Sequence, residues 1–303
     1  MTDKLKRLLP IAMVTLVAAF TLIGCSSKAE TGDKDQLSGS IKIIGSNTVT
    51  PLSTVWAEDF MKIHPQVSIA VSGPGSGVGI AALIDGTTDI CQSSRTITPK
   101  EVEQAKAKAK GNNPYEIKVA TDALSVIVNP SNTVFELTIG QLSAIFTGKI
   151  VNWSEVGGKN APIVAISRDT NSGTHVFFKE HVVQMLGLPT ADKKLEYGNK
   201  VLMLPSTEEG VSETAKNPNA IFYPGLGYVN DKVKPLGIKK TAGDPAVLPS
   251  MKTALDGTYP ISRPLLLYTN GTPAGAIKAF IDYCLSPEGQ KRVTEMGYVP
   301  LQK

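Results

Sequence analysis

Ile163-Val164-Ala165-Ile166 runs into Ser167-Arg168-Asp169-Thr170-Asn171-Ser172-Gly173-Thr174, and the segment from His175 to Leu186 that follows is helical by pattern. Four consecutive apolar residues read as a buried strand, and the polar, glycine-bearing loop leads straight into a helix start. Working outward, the same order recurs upstream. Ile41 to Ile44 is a short apolar run ending at Gly45-Ser46-Asn47-Thr48, after which Val49, Leu52, Trp56, Phe60 and Ile63 recur at steps of three and four until His64-Pro65. Val67, Ile69 and Val71 alternate as a strand, Gly73-Pro74-Gly75-Ser76-Gly77-Val78-Gly79 follows, and Ile80, Leu83 and Ile84 carry a second helix. A strand is predicted over Asp89 to Gln92, and Thr98-Pro99-Lys100-Glu101 is a capping box opening a helix toward Gly111. Two strand-like runs lie within Ile117 to Val128, and Thr138 caps a helix with Leu142, Ile145 and Phe146 on one face. Further on come a helix near Val211 to Lys216, a strand at Ile221 to Tyr223, the run Leu265 to Thr269, and a last helix from Thr272-Pro273 through Ile277, Phe280 and Ile281. Strands alternating with helices predict an α/β fold with largely parallel sheets.

The chain has 303 residues, 42% hydrophobic and 19% charged, which is ample for a packed core and fits two ordinary domains. Its formal charge is +4; Lys4, Lys6 and Arg7 against Asp3 supply +2 of that, leaving +2 for the remainder. So small an excess argues against nucleic acid as a partner, because phosphate-backbone affinity needs a clustered basic face.

Lys4, Lys6 and Arg7 precede a run from Leu8 to Gly24 without a charge, ending at Leu22-Ile23-Gly24-Cys25. A basic start, an apolar middle and small residues at the end read as a secretory signal over 1–24. The uncharged run is short for a permanent membrane span. Residues 25–38 read as a flexible polar tether, and the folded part is expected to start near Gly39. Cys91 and Cys284 sit in apolar surroundings and read as buried free thiols, a disulfide being the alternative.

Three loops, Gly45 to Thr48, Gly75 to Gly77 and Ser172 to Thr174, share one design: strand, small polar residues, helix start. Unpaired N–H groups and the partial positive charge of a helix N-terminus suit an anion, and Arg168 adds a planar fork matched to two oxygens. Taken singly, each loop is explained as well by Ser, Thr and Asn capping a helix. Gly75-Ser76-Gly77-Val78-Gly79 is neither the dinucleotide nor the P-loop pattern, and no serine sits in Gly-x-Ser-x-Gly. His64, His175 and His181 show no metal-binding spacing; His175 reads as an exposed first-turn residue, with donation to an anion as the alternative. No metal or other cofactor is expected.

The long ordered series Gly45-Ser46-Asn47-Thr48-Val49, Gly75-Ser76-Gly77, Ser93-Ser94-Arg95, Leu137-Thr138 with Gln141-Leu142, Ile145-Phe146, Gly148, Asn152-Trp153, Arg168 with Ser172-Gly173-Thr174, and Tyr259-Pro260 with Arg263-Pro264 resembles the substrate-binding protein of the bacterial ABC-type phosphate transporter, the PstS family. Leu22-Ile23-Gly24-Cys25 likewise resembles the bacterial lipobox, whose cysteine is lipidated, as with palmitate. The resemblance implies a two-lobed periplasmic-binding-protein fold of type II, each lobe a mixed sheet flanked by helices. It places lobe I at 39–125 and 262–303 and lobe II at 126–261, with crossings near 123–128 and 260–266. Carried over by position, Thr48, the Val49 backbone and Ser76 would hold phosphate from lobe I, and Arg168, Ser172, Gly173 and Thr174 from lobe II. Ser94 stands where relatives carry a proton-accepting carboxylate, and Arg95 beside it would supply charge that His175 does not.

The function implied is extracytoplasmic capture of inorganic phosphate by a lipid-anchored, monomeric receptor in the periplasm or at the cell surface, which delivers it to ABC transporter permease subunits. The alternatives are a binder of another tetrahedral oxyanion (sulfate, molybdate or arsenate) and a phosphate sensor. A secreted phosphatase-like hydrolase is the minor alternative, and an enzyme is not expected, since no nucleophile with a base beside it is evident.

Overall fold

The computed structural model describes residues 37–108 and 113–302. The expected signal, Cys25 and nearly all of the tether lie outside the described residues. Among those described, no helix is long and apolar enough to cross a membrane.

From the start of the described chain the elements are β1 (Gly39–Gly45), α1 (Thr50–Ile63), β2 (Val67–Ser72), α2 (Ser76–Ile84), β3 (Ile90–Ser93), α3 (Pro99–Lys108) and β4 (Pro114–Ala123). The middle of the chain supplies β5 (Ile127–Val128), β6 (Glu136–Thr138), α4 (Ile139–Phe146), β7 (Val164–Arg168), α5 (Gly173–Phe178), β8 (Leu202–Leu204) and α6 (Thr207–Lys216). It continues with β9 (Ala220–Phe222), β10 (Lys234–Pro235), β11 (Gly237–Lys239) and α7 (Met251–Leu255), and the chain closes with β12 (Ser262–Asn270), α8 (Gly275–Leu285) and α9 (Pro287–Glu295).

Two five-stranded sheets result, ordered β2-β1-β3-β12-β4 and β10-β5-β9-β7-β8. The first is filled on both faces: Ile41, Ile43, Leu52, Trp56, Phe60, Leu265 and Phe280 are buried in one cluster, and Ile80, Leu83, Cys91, Leu266 and Tyr268 in another. Each such side chain contributes about 1.5–3 kcal/mol when fully withdrawn from water. Trp56 also donates its indole N–H to the Gly289 carbonyl at 2.8 Å, pinning α1 to α9. The second lobe packs around Phe146, Trp153, Phe178 and Tyr223, with Phe178 and Tyr223 stacked at 3.6 Å between ring centroids. The chain passes between the sheets twice, after Ala123 and before Ser262, and Ser262 pairs with Ala123, so the two crossing segments are themselves hydrogen-bonded neighbours.

The strands and helices read from periodicity are present, but β6, β8, β10, β11 and α7 were not among them, and three further departures stand out. The sheets are mixed rather than largely parallel: β12 returns from the second lobe and inserts antiparallel to both β3 and β4. The helix predicted from His175 to Leu186 begins as α5 and widens at Lys179–Val183 into a π-helical turn, where Gln184 N–H donates to the Lys179 carbonyl at 2.8 Å. Ser286 caps α9 by accepting from Gly289 N–H at 3.1 Å, a helix start with Pro287 in its first turn that the pass along the sequence did not single out. Cys91 and Cys284 are buried and unbridged.

Candidate functional site

Strand-to-helix connections from both lobes meet at one point. In the first lobe Gly45 ends β1 at a φ of 152°, and an added Cβ would collide with the Gln92 backbone, so this turn requires glycine. Ser46 N–H then donates to the Gln92 carbonyl (2.8 Å) and Ser46 Oγ–H to Ser94 Oγ (2.9 Å), which fixes Thr48 and Val49 ahead of α1. Tyr298, near the chain's end, donates its hydroxyl to the Thr48 carbonyl at 2.7 Å. The Gly75 loop is tied to the first: Gly75 N–H donates to the Gly45 carbonyl (2.7 Å), and Ser76 Oγ accepts from Ser94 N–H (3.1 Å).

From the second lobe, β7 delivers Arg168 and the turn to α5. Asp169 Oδ1 accepts from Asn171 N–H (2.8 Å) and Ser172 N–H (3.1 Å), and Ser172 Oγ caps α5 by accepting from Thr174 and His175 N–H. Capping and convergence therefore coexist in the same loop. Thr174 Oγ1 reaches Thr48 Oγ1 at 3.0 Å, and Gly77 N–H donates to the Asn171 carbonyl at 3.0 Å. Gly173 leaves no room for a side chain: a Cβ there would lie 2.6 Å from Ser94 Oγ and closer still to Ser76 Oγ. The lobes are thus shut against each other over Thr48, Ser76, Ser94, Gly173 and Thr174.

Arg168 is buried and holds the second lobe's edge together while reaching the first. Its Nε donates to the Leu204 carbonyl (3.3 Å), Nη2 to the Pro205 carbonyl (2.7 Å), and Nη1 to Thr207 Oγ1 (2.5 Å) and Asn47 Oδ1 (3.2 Å). Burial pulls its pKa below the ordinary value, opposed by the charges of Asp169 and Glu208.

Several expectations change. Arg95 does not join the cluster: its Nη2 and Nη1 donate to Glu101 at 2.7 and 2.9 Å, so its charge is matched by α3 rather than offered to the cleft. The Val49 N–H donates to the Ser46 carbonyl at 3.2 Å. His175 is neither exposed nor turned toward the loops; it is buried, with Nδ1 3.1 Å from Ser167 Oγ and its ring stacked on Tyr197. Burial holds its pKa below the usual imidazole value.

Three residues at the site were not singled out as ligands. Asn47, read as one of several possible caps, is a latch: besides Arg168 it accepts from Thr207 N–H at 3.2 Å, and its carbonyl accepts from the Tyr228 hydroxyl at 3.2 Å. Arg263 and Asp122 form an ion pair at 2.9 Å with both side chains fully buried. Burial raises the Asp122 carboxyl and lowers the Arg263 guanidinium, each against the pull of the other. Their separation of 141 positions left no local pattern to read. Among the described residues no group of His, Cys, Asp and Glu could hold a metal ion.

Comparison with known proteins places this geometry among relatives. Residues 29–288 match the family profile described as "PBP superfamily domain". The phosphate-binding protein PstS of Pseudomonas aeruginosa is 31% identical over 98% of this chain and 95% of its own length. PstS of Bacillus subtilis is 32% identical over 96% and 94% respectively. A Clostridium perfringens substrate-binding protein assigned to phosphate ABC transport, solved with bound phosphate, superimposes with a TM-score of 0.75 at 32% identity, covering 87% of this chain and all of that one. An ABC-type phosphate transport receptor from Vibrio cholerae gives a TM-score of 0.69 at 29% identity, covering 86% of this chain and all of that one.

Proposed function

The chain belongs to the PstS family of phosphate-binding proteins within the PBP superfamily, and on that premise we propose that it captures inorganic phosphate between its two lobes and delivers it to an ABC-type permease. The observation that carries this reading is the meeting of Thr48 and Thr174, at 3.0 Å, where loops ahead of α1, α2 and α5 converge. Hydroxyls and helix-start N–H groups aimed at one point compensate a buried anion without a large net charge. Lobe closure would supply the selectivity step, since a dehydrated oxyanion is held only when donors from both lobes reach it.

The ligand set supported by position is Thr48, the Val49 backbone, Ser76, Ser94, Arg168, Ser172, Gly173 and Thr174. Val49 N–H would exchange its bond to Ser46 for one to the anion. We place the lobe boundaries at 39–125 with 262–303 and at 126–261, a division that the strand content of each sheet supports. The reading extends to an extracytoplasmic monomer, lipidated at Cys25 and held at a membrane by that lipid; the basic start, apolar run and Leu-Ile-Gly-Cys string support it.

Binding is favoured over hydrolysis by the Ser167–His175 pair. A serine hydroxyl 3.1 Å from an imidazole nitrogen is the contact a nucleophilic enzyme would use, but Ser167 is fully buried and its oxygen also meets the Tyr223 hydroxyl and the Arg168 carbonyl. Calorimetric titration of the chain with phosphate, sulfate, arsenate and molybdate tests the proposal. Heat with phosphate at micromolar protein is expected, and silence with phosphate would sink it; release of phosphate from p-nitrophenyl phosphate would restore the hydrolase.

A further inference from the structure

Arg263 lies at the start of β12, just beyond the second crossing, and its guanidinium reaches loops of both lobes at the closed site. Nε and Nη2 donate to Asp122 Oδ2 (3.1 and 2.9 Å), Nη1 donates to the Ser94 carbonyl (3.2 Å), and Nη2 also donates to Thr174 Oγ1 (2.9 Å) and Thr48 Oγ1 (3.4 Å). One nitrogen therefore touches a hydroxyl from each lobe. We propose that Arg263 is the second cation of the anion site, a positioning residue that acts through Thr48 and Thr174, with Asp122 as the counter-charge that holds it there. The proposal rests on the anion-binding reading above and deepens it.

The physical argument begins with hydrogen counting. An Nη2 carries two hydrogens; one faces Asp122, and the other is shared by the two threonine oxygens. A hydroxyl oxygen that accepts from a guanidinium must turn its own hydrogen elsewhere. When an anion separates Thr48 from Thr174, both O–H groups are consequently aimed at it, and the adjacent positive charge strengthens each bond. Arg168 is poorly placed for this task, because its nitrogens donate to Asn47, Leu204, Pro205 and Thr207 and to neither threonine of the pair. Arg95 is matched by Glu101. Asp122 is fixed from its other oxygen by Leu226 N–H at 3.1 Å, so it fastens Arg263 at the crossing rather than following either lobe.

An ion pair kept only for structure and one kept for the ligand differ in a measurable way. Both are broken equally by Arg263→Gln and by Asp122→Asn, but only the first removes the donor to the threonines. Phosphate affinity of the full chain is measured by calorimetry for the parent, Arg263→Gln, Asp122→Asn, Arg263→Lys and the double variant Arg263→Gln/Asp122→Asn, with melting curves to confirm folding. The double variant replaces the pair by two neutral amides and so avoids a lone buried charge. Expected losses are about 100-fold for Arg263→Gln and for the double variant, about tenfold for Arg263→Lys, and under about fivefold for Asp122→Asn, in line with hydrogen bonds to a charged group. A folded Arg263→Gln or double variant that binds within about threefold of the parent overturns the proposal, as do equal losses from Arg263→Gln and Asp122→Asn. A parent that gives no heat with any oxyanion refutes the binding reading instead, and one that prefers sulfate or molybdate changes the ligand while the same comparison is made with that anion.

Discussion

The hydroxyl oxygens of Thr48 and Thr174 lie 3.0 Å apart across the junction of the two lobes, although 126 residues separate them in the chain. Each is buried, and each belongs to the residue just ahead of, or inside, the first turn of a helix. Thr48→Val and Thr174→Val remove one hydroxyl apiece while keeping shape. Each is expected to weaken phosphate binding by roughly 10- to 150-fold, the worth of one hydrogen bond to a charged acceptor. Because the two act on one ligand, the double variant should lose less than the product of the single losses, which a double-mutant cycle by calorimetry reads directly.

Gly173→Ala tests closure. The new Cβ would sit 2.6 Å from Ser94 Oγ, and neither nearby hydroxyl can swing away, because Ser94 Oγ accepts from Ser46 and Ser76 Oγ accepts from Ser94 N–H. Opening the lobes relieves the clash without disturbing either core, so melting temperature should change little. Phosphate affinity should fall by at least about 30-fold, beyond the cost of ordinary overpacking. Small-angle scattering with and without phosphate would show contraction in the parent and none in the variant; parent-like contraction would contradict this account.

The arginines separate cleanly. Arg168→Ala strips the guanidinium that links Leu204, Pro205, Thr207 and Asn47, and about 100-fold weaker phosphate binding is expected, with Arg168→Lys recovering only part because one ammonium cannot replace a fork. Arg95→Gln, by contrast, breaks a half-buried pair with Glu101 away from the cleft. Its affinity should stay within about threefold of the parent, with a modest fall in stability. A large affinity loss in Arg95→Gln would restore the role that the sequence suggests for it.

His175 makes stability depend on pH. Burial lowers its pKa in the folded state from an ordinary value of 6.5, so below that value the unfolded chain binds the proton more readily. The contribution is complete above pH 6.5 and is lost as pH falls from there toward the depressed folded value. Urea unfolding should therefore show a decline on the acid side that is shallower in His175→Gln. Identical pH slopes for the two proteins would refute the assignment.

Local order was largely legible. The strand and loop from Ile163 to Thr174 carry their own signals, and Thr138 caps its helix as predicted, with Gln141 N–H donating to Thr138 Oγ1 at 3.0 Å. Partnerships set by the tertiary fold were not. Glu101 was readable as a capping residue, and it does accept from Thr98 N–H at 2.8 Å, but the cap reading did not extend to its capture of Arg95, six positions upstream. His175 looks exposed by its place in a first turn, but Tyr197 stacks on its ring and Ser167 meets its Nδ1, contacts that the first turn does not announce. Arg263 stands in the motif Tyr259-Pro260 with Arg263-Pro264, but its role was not legible there because its partners, Asp122, Thr48, Thr174 and Ser94, come from four separate segments.

The position of β12 bears on how the chain assembles as it is made. It lies between β3 and β4, yet it begins only at Ser262. Until that residue has emerged, β3 and β4 present unpaired backbone edges with nothing between them, a template for wrong pairing. The strands of the other sheet all fall between Ile127 and Pro235, so that lobe can complete its pairing first. Arg263 arrives with the last strand, so the site acquires its crossing-point cation only when folding is nearly over, and a chain stalled earlier is left both sticky and unable to hold its ligand.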